Sequence, residues 1–186
     1  MKIHLQTPQE IRQHIWKELG RASQDRHHAW RTPVFATTGN DGTVNARTVV
    51  LREVDAPHQT LCIYTDQRSP KFSELQNEPK ALFVFWSARL NWQLRVRVTV
   101  KTLTTGPQVD DLWERVRQSA AAADYLGPAA PGSPRPDAHS DSTVDQVTHH
   151  FALLIAQVHE MDWLELSREG HRRARLLADD WQWLTP

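Results

Sequence analysis

Apolar positions near the start of the chain recur with helical spacing. Ile11, Ile15 and Leu19 follow Thr7-Pro8-Gln9-Glu10 at intervals of four. A threonine with glutamate three residues later is a capping box, and proline suits the first helical position. The pattern therefore predicts a helix that opens at Pro8 and that Gly20 ends. From about Thr32 the period shortens. Pro33 to Thr38 and Thr43 to Arg52 are rich in valine and threonine, with Gly39-Asn40-Asp41-Gly42 between them, which predicts a hairpin. Leu61 to Thr65 reads as a third strand. Ser69 then stands as N-cap and Pro70 as first residue of a short helix, with Phe72 and Leu75 as its apolar side and Pro79 as its stop.

Ala81 to Trp86 is a continuous apolar run, which predicts a strand buried on both faces. Trp92 to Leu103 alternates instead: Leu94, Val96, Val98 and Val100 on one side, Gln93, Arg95, Arg97 and Thr99 on the other. Helical period returns from about Gln108 to Ala123. Residues 127–142 hold prolines 128, 131, 134 and 136 and predict a long loop. His150 to Leu166, His171 to Leu177 and Trp181 to Leu184 complete a count of about eight strands and three helices. Trp181 and Trp183 are expected to divide, one toward the core and one toward a subunit interface. Consecutive strands favour an antiparallel α+β barrel over an alternating parallel fold. The 186 residues suit a single domain, 1–186, carrying the Pro-rich loop.

Composition narrows the partners. Lys plus Arg is 22 and Asp plus Glu is 22, so the chain has no net charge to draw it onto nucleic acid. A single cysteine, Cys62, permits no intramolecular disulfide, and no apolar run is long enough to span a bilayer, so the expectation is a cytoplasmic protein with no membrane partner. Cys62 sits in an apolar strand and reads as core rather than nucleophile. The pairs His27-His28 and His149-His150 invite a metal, but strand neighbours point to opposite faces, so no metal site is expected. Neither a Gly-x-Gly-x-x-Gly nor a P-loop pattern is present.

The candidate chemistry is anion binding. Lys71 lies just inside a helix start, where free N–H groups and partial positive charge suit a phosphate. Arg47 and Arg52, five apart in what reads as one strand, are expected on its opposite faces, and an arginine from a neighbouring strand adds a bidentate donor.

The order of these pieces carries a resemblance. Arg47-Thr48-Val49-Val50-Leu51-Arg52, Tyr64-Thr65, Ser69-Pro70-Lys71, Asn77-Glu78-Pro79-Lys80-Ala81, Phe85-Trp86 and Gln93-Leu94-Arg95-Val96 follow one another as the motifs of the pyridoxamine 5′-phosphate oxidase family do, over about residues 30 to 100. The resemblance implies an antiparallel split β-barrel, a homodimer, and FMN at the subunit interface. Arg47, Lys71 and Ser69 would face the FMN phosphate. Thr48, Val49, Val50, Leu51 and Arg52 would lie along the flavin, largely through their backbone, with Tyr64, Thr65, Gln93 and Arg175 as further contacts. Arg115 and Ser119 match the family's substrate-phosphate residues.

The departures fall mainly on the substrate side. Pro70 replaces one phosphate cation, for which Arg68 is the candidate substitute. Arg52 stands for a substrate-facing lysine and Asp111 for a tyrosine, and the family's C-terminal Arg-His pair is not matched at His171-Arg172-Arg173-Ala174-Arg175. The implied function is an FMN-dependent oxidoreductase acting on a small molecule. The alternative is a flavin-binding protein without turnover, serving as store, sensor or carrier.

Overall fold

The structure is a computed structural model that describes residues 5–134 and 149–186. The element order is α1 (Pro8–Gln24), β1 (Val34–Thr38), β2 (Val44–Thr48), β3 (Leu51–Asp55), β4 (Thr60–Asp66), α2 (Pro70–Asn77), β5 (Lys80–Ser87), β6 (Trp92–Leu103), α3 (Pro107–Val116), a 3-10 segment (Ala120–Tyr125), β7 (Phe151–Glu165), β8 (Arg172–Leu177) and β9 (Trp181–Leu184). All strand pairs are antiparallel, in the order β2-β1-β5-β6-β7-β4-β3, with β8 and β9 continuing from β7. The sheet curls as a split barrel. It stays open, because β2 and β3 end its two edges without pairing.

That opening corrects the reading of Thr43 to Arg52 as one strand. The chain leaves the ladder at Val49 and Val50, passing from β2 at one edge to β3 at the other. The Val49 N–H donates to Pro33 and the Leu51 N–H to Arg31, so the Arg31–Pro33 segment holds the crossing in place. Arg47 and Arg52 therefore sit on different strands, and the described residues form nine strands.

The hairpin before the crossing forms as its turn residues require. Gly42 takes φ +80, and a Cβ at Gly39 would come within 2.8 Å of the Asn45 and Asp41 side chains. The capping box of α1 is complete: Glu10 N–H donates to Thr7 Oγ1 at 3.2 Å and Thr7 N–H to Glu10 Oε2 at 3.0 Å. Gly20 does not end this helix, which runs to Gln24 because Ala22 adds one more fully buried contact. Glu18 on α1 is also buried, accepting from Arg21 at 2.8 Å and lying 3.1 Å from His28, which ties the helix to the segment before β1.

Leu94, Val96, Val98 and Val100 point inward from β6 with Phe35, Phe83 and Phe85, and α1 and α2 close this core. Gln93, Arg95 and Arg97 point outward, as their alternation predicts. Ala81 to Trp86 corrects the expectation of burial on both faces. Phe83 and Phe85 are buried, whereas Leu82, Val84 and Trp86 lie on the outer face and Trp86 is 47% exposed. The strand truly covered on both sides is β7. Leu154 and Ala156 face the barrel core, and Phe151 and Leu153 pack outward against Val109, Leu112 and Tyr125. The helix expected over 108–123 ends at Val116, and a 3-10 segment completes the cover.

Trp181 and Trp183 do not divide. Positions two apart share a strand face, and both rings, 6.1 Å apart, are partly exposed. Of the Pro-rich loop, residues 135–142 lie outside the described residues. Its flanks meet: His150 N–H donates to the Tyr125 carbonyl at 2.8 Å. No helix among the described residues is long and apolar enough to cross a membrane.

Candidate functional site

At one end of the barrel, four elements bring polar side chains together. Thr65 lies one residue before the end of β4, Ser69 caps and Lys71 lies in the first turn of α2, Arg47 lies on β2, and Thr37 on β1 stands beside it. Lys71 Nζ donates to Thr65 Oγ1 at 2.9 Å, and the Thr65 and Ser69 hydroxyls are 3.1 Å apart. Ser69 occupies the N-cap position but makes no side-chain cap bond, having turned its hydroxyl to Thr65 instead. Burial lowers the Lys71 pKa, and the nearby charge of Arg47 lowers it further. Two cations held together in a partly dry corner, beside two hydroxyls and a helix start, are the donor set that a phosphate dianion needs.

Glu74 holds Arg47 in position. Its Oε2 accepts from Arg47 Nη2 at 3.0 Å and its Oε1 from Asn45 Nδ2 at 2.7 Å, and Thr37 Oγ1 donates to it as well. Burial opposes ionisation of Glu74, but the bonds from Thr37 and Asn45 and the Arg47 charge prevail and keep its pKa below the usual carboxylate value. Sequence reasoning passed over Glu74, Thr37 and Asn45. The available signal was spacing: Asn45 shares a strand face with Arg47, and Glu74 lies one helical turn from Lys71.

Arg68 does not replace the cation that Pro70 displaces. It forms a forked pair with Asp66, at 2.6 Å for Nη2, and donates to the carbonyls of Gly127 and Pro128. Its charge is spent on fixing the start of the Pro-rich loop beside α2.

A second group gathers on the outer side of the β3–β4 hairpin. The β3–β4 register shifts between Leu51 and Glu53, so Arg52 is an extra residue in the strand. This bulge brings Arg52 and Glu53, which would otherwise point oppositely, to the same neighbour. Arg52 Cζ lies 5.4 Å from the Tyr64 ring centre, and the Tyr64 hydroxyl donates to Glu53 Oε1 at 2.9 Å. Burial, then the Glu53 bond, push the Tyr64 pKa up. Arg115, on α3, reaches within 3.8 Å of Glu53 Oε1 and is 70% exposed. Ser119 donates to the Val116 carbonyl at 2.7 Å, so its hydroxyl closes the helix end.

Gln93 and Arg175 are elsewhere. Both project from the outer face of the sheet, Gln93 opposite Trp86 and Arg175 opposite Asp162 and Gln182. Asp162 there accepts from Arg173 Nε at 2.9 Å and pairs with Arg95. The residues that the family resemblance assigns to one flavin thus divide between opposite faces of the sheet. Arg47, Thr65, Ser69 and Lys71 lie at the barrel end; Arg52 and Tyr64 meet at the β3–β4 hairpin, and Gln93 and Arg175 lie on the outer face.

The remaining candidates have structural roles. Cys62 is buried and its pKa is pushed up to about 12, chiefly by burial. His171 Nδ1 accepts from the Ser167 N–H within its turn. Among the described residues no group of three His, Cys, Asp or Glu side chains could hold a metal ion.

Known proteins resemble this chain in sequence and in fold. Residues 12–104 fit the family model described as pyridoxamine 5′-phosphate oxidase, FMN-binding domain. A pyridoxine/pyridoxamine 5′-phosphate oxidase from Thermosynechococcus vestitus is 42% identical over 70 residues, 38% of this chain and 32% of the relative. One from Myxococcus xanthus is 34% identical over 90 residues, 48% of this chain and 43% of the relative. The matched stretch therefore spans less than half the length of these curated relatives. The solved structure of a pyridoxamine 5′-phosphate oxidase-related, FMN-binding protein from Nostoc punctiforme superposes with a TM-score of 0.71 at 25% identity, covering 97% of this chain and 98% of that one. PhzG from Burkholderia lata, solved with tetrahydrophenazine-1-carboxylic acid, shares the fold over the full length of both chains, with a TM-score of 0.72 at 17% identity.

Proposed function

The chain belongs to the pyridoxamine 5′-phosphate oxidase FMN-binding family, whose cofactor is FMN, and from that premise we propose that it works as an FMN-dependent oxidoreductase on a small molecule. When bound, FMN supplies two-electron redox chemistry, and the protein supplies position and electrostatics. The observation that carries the reading is the convergence of Arg47, Lys71, Thr65 and Ser69. Lys71 and Arg47 would neutralise the phosphate, Ser69 and Thr65 would donate to its remaining oxygens, and Glu74 would keep the Arg47 guanidinium aimed.

Thr48, Val49, Val50, Leu51 and Arg52 would line the flavin where the chain crosses between sheet edges. The N–H groups of Val49 and Leu51 are already engaged, which leaves the Val50 N–H, with no described acceptor, as the backbone donor for the ring system. Tyr64 would border it from β4.

In this reading the active unit is a homodimer with FMN at the subunit interface. The support is the division of the site residues between opposite faces. A second copy laid on the outer face would bring its Gln93 and Arg175 toward the cradle of the first. That outer face also exposes Val34, Val44 and Trp86, apolar surface suited to a partner.

The test is the visible absorption spectrum of the purified protein, followed by FMN titration of the apoprotein and a screen of amines and NAD(P)H. Flavin absorbance, one tight FMN per subunit and substrate-driven bleaching support the proposal. Tight FMN without any bleaching supports the second reading, a flavin carrier or sensor, which the incomplete substrate motif favours. A colourless protein that ignores FMN overturns both.

A further inference from the structure

The crossing between β2 and β3 is held from outside itself. Val49 and Val50 lie off the ladder, and the chain there is fixed through the Val49 N–H, which donates to the Pro33 carbonyl at 3.0 Å, and the Leu51 N–H, which donates to the Arg31 carbonyl at 2.9 Å. The accepting segment, residues 31–33, is neither helix nor strand, so it needs an anchor of its own. The Arg31 side chain supplies one. Its Nη1 donates to the Leu51 carbonyl at 2.6 Å, to the Ala22 carbonyl at 3.3 Å and to the Ser23 carbonyl.

Ala22 and Ser23 belong to the last turn of α1, where carbonyls lack helical partners and form the negative end of the helix dipole. A guanidinium suits that end. It is kept there against opposition: burial lowers the Arg31 pKa, and the like charge of Arg52 lowers it further. None of the described ion pairs includes Arg31, so its charge rests on backbone carbonyls. Arg31 thus grips Leu51 on both sides, with its carbonyl on the Leu51 N–H and its guanidinium on the Leu51 carbonyl, and ties that grip to α1. Val50 is left between two fixed neighbours with its own N–H unspent. A donor set in place before its ligand arrives needs no ordering on binding.

We propose that Arg31 is a positioning residue for the flavin ring: from the end of α1, and acting through Leu51, it holds the Val49–Val50 crossing in its binding form. The proposal rests on the flavin reading above and adds to that site a residue outside the phosphate cradle.

Riboflavin and FMN share the ring and differ in the phosphate, so together they separate the crossing from the cradle. Arg31→Met keeps an unbranched side chain and removes its donors. Both flavins are titrated by fluorescence into this variant at a temperature where circular dichroism shows it folded. Each should bind about tenfold more weakly, as when the binding-competent crossing falls to about a tenth of the population. Arg31→Lys should recover part of that loss, because the three bonds come from one nitrogen and an ammonium carries three donors. Amide hydrogen exchange tests the same point without ligand. The Val49 and Leu51 amides should be protected in the unaltered apoprotein and exchange about tenfold faster in Arg31→Met, with β6 and β7 unchanged. Unchanged riboflavin affinity in Arg31→Met, a loss confined to FMN, or unprotected Val49 and Leu51 amides in the unaltered apoprotein would each overturn the proposal, and the last requires no variant to fold. An unaltered protein that binds neither flavin fails the flavin reading itself, and shows it before any variant is made.

Discussion

The barrel end and the bulged hairpin both gather arginine near a glutamate, yet they are built to opposite standards. At the barrel end, Glu74 is buried and takes bonds from Arg47, Thr37 and Asn45, so residues of three elements, β1, β2 and α2, fix one guanidinium. At the hairpin, Glu53 is 42% exposed in its side chain and Arg115 approaches it loosely from a helix at the surface. The first arrangement holds its guanidinium by several bonds at once. The second can be retuned by a single surface residue at little cost in stability. On the function proposed above, the cofactor end is constrained and the substrate end is free to diverge.

That contrast is most exposed to Arg47→Ala. Removing the guanidinium strands a buried carboxylate, so stability should fall by about 2–3 kcal/mol in denaturant unfolding, with loss of tight FMN binding. Adding Glu74→Gln should restore most of the stability and none of the FMN affinity, which separates the two jobs of Arg47. Stability that stays low in the double variant would show that Arg47 is held by something other than Glu74.

Next in size is Lys71→Ala. One charge-assisted contact to phosphate is worth roughly 1.5–3 kcal/mol, so FMN should bind about 10–100-fold more weakly while riboflavin, lacking the phosphate, is unaffected. Equal losses for both flavins would remove Lys71 from the phosphate. Smaller still is a pH effect on the unaltered protein. Burial and Arg47 lower the Lys71 pKa, and phosphate needs the protonated form. Binding must then take up a proton once the pH exceeds that lowered pKa, so FMN affinity should decline with rising pH before the ordinary lysine range is reached. Lys71→Arg should flatten the decline. The smallest effect belongs to Arg115→Ala: an exposed ion pair at this distance contributes little, and stability should stay within about 0.5 kcal/mol by thermal denaturation.

These differences also decide what could be read in advance. The alternation of β6 was legible because one of its faces is buried and the other is not, and burial writes itself into period. The break between β2 and β3 was not, since Val49 and Val50 are good strand formers and what parts them is a distant partner, the Arg31–Pro33 segment. The bulge at Arg52 left no mark for the same reason. Arg47 and Lys71 were legible through motif order, whereas Glu74 looks like any helix glutamate until the fold buries it. Arg68 shows the limit of adjacency: it lies next in sequence to the gap at Pro70, but Asp66 is closer in space to its guanidinium.

The bond from His150 to the Tyr125 carbonyl gives the chain between them a common point of departure and return. An excursion that begins and ends at one place adds length without moving the elements on either side. Doubling its length would cost only about 0.6 kcal/mol in closure entropy. This is a natural splice point: a fluorescent reporter or a second domain grafted there would ride beside the barrel end that carries Arg47 and Lys71, tethered to it by Arg68, and leave the hydrogen-bonded ladder of β4 and β7 as it stands.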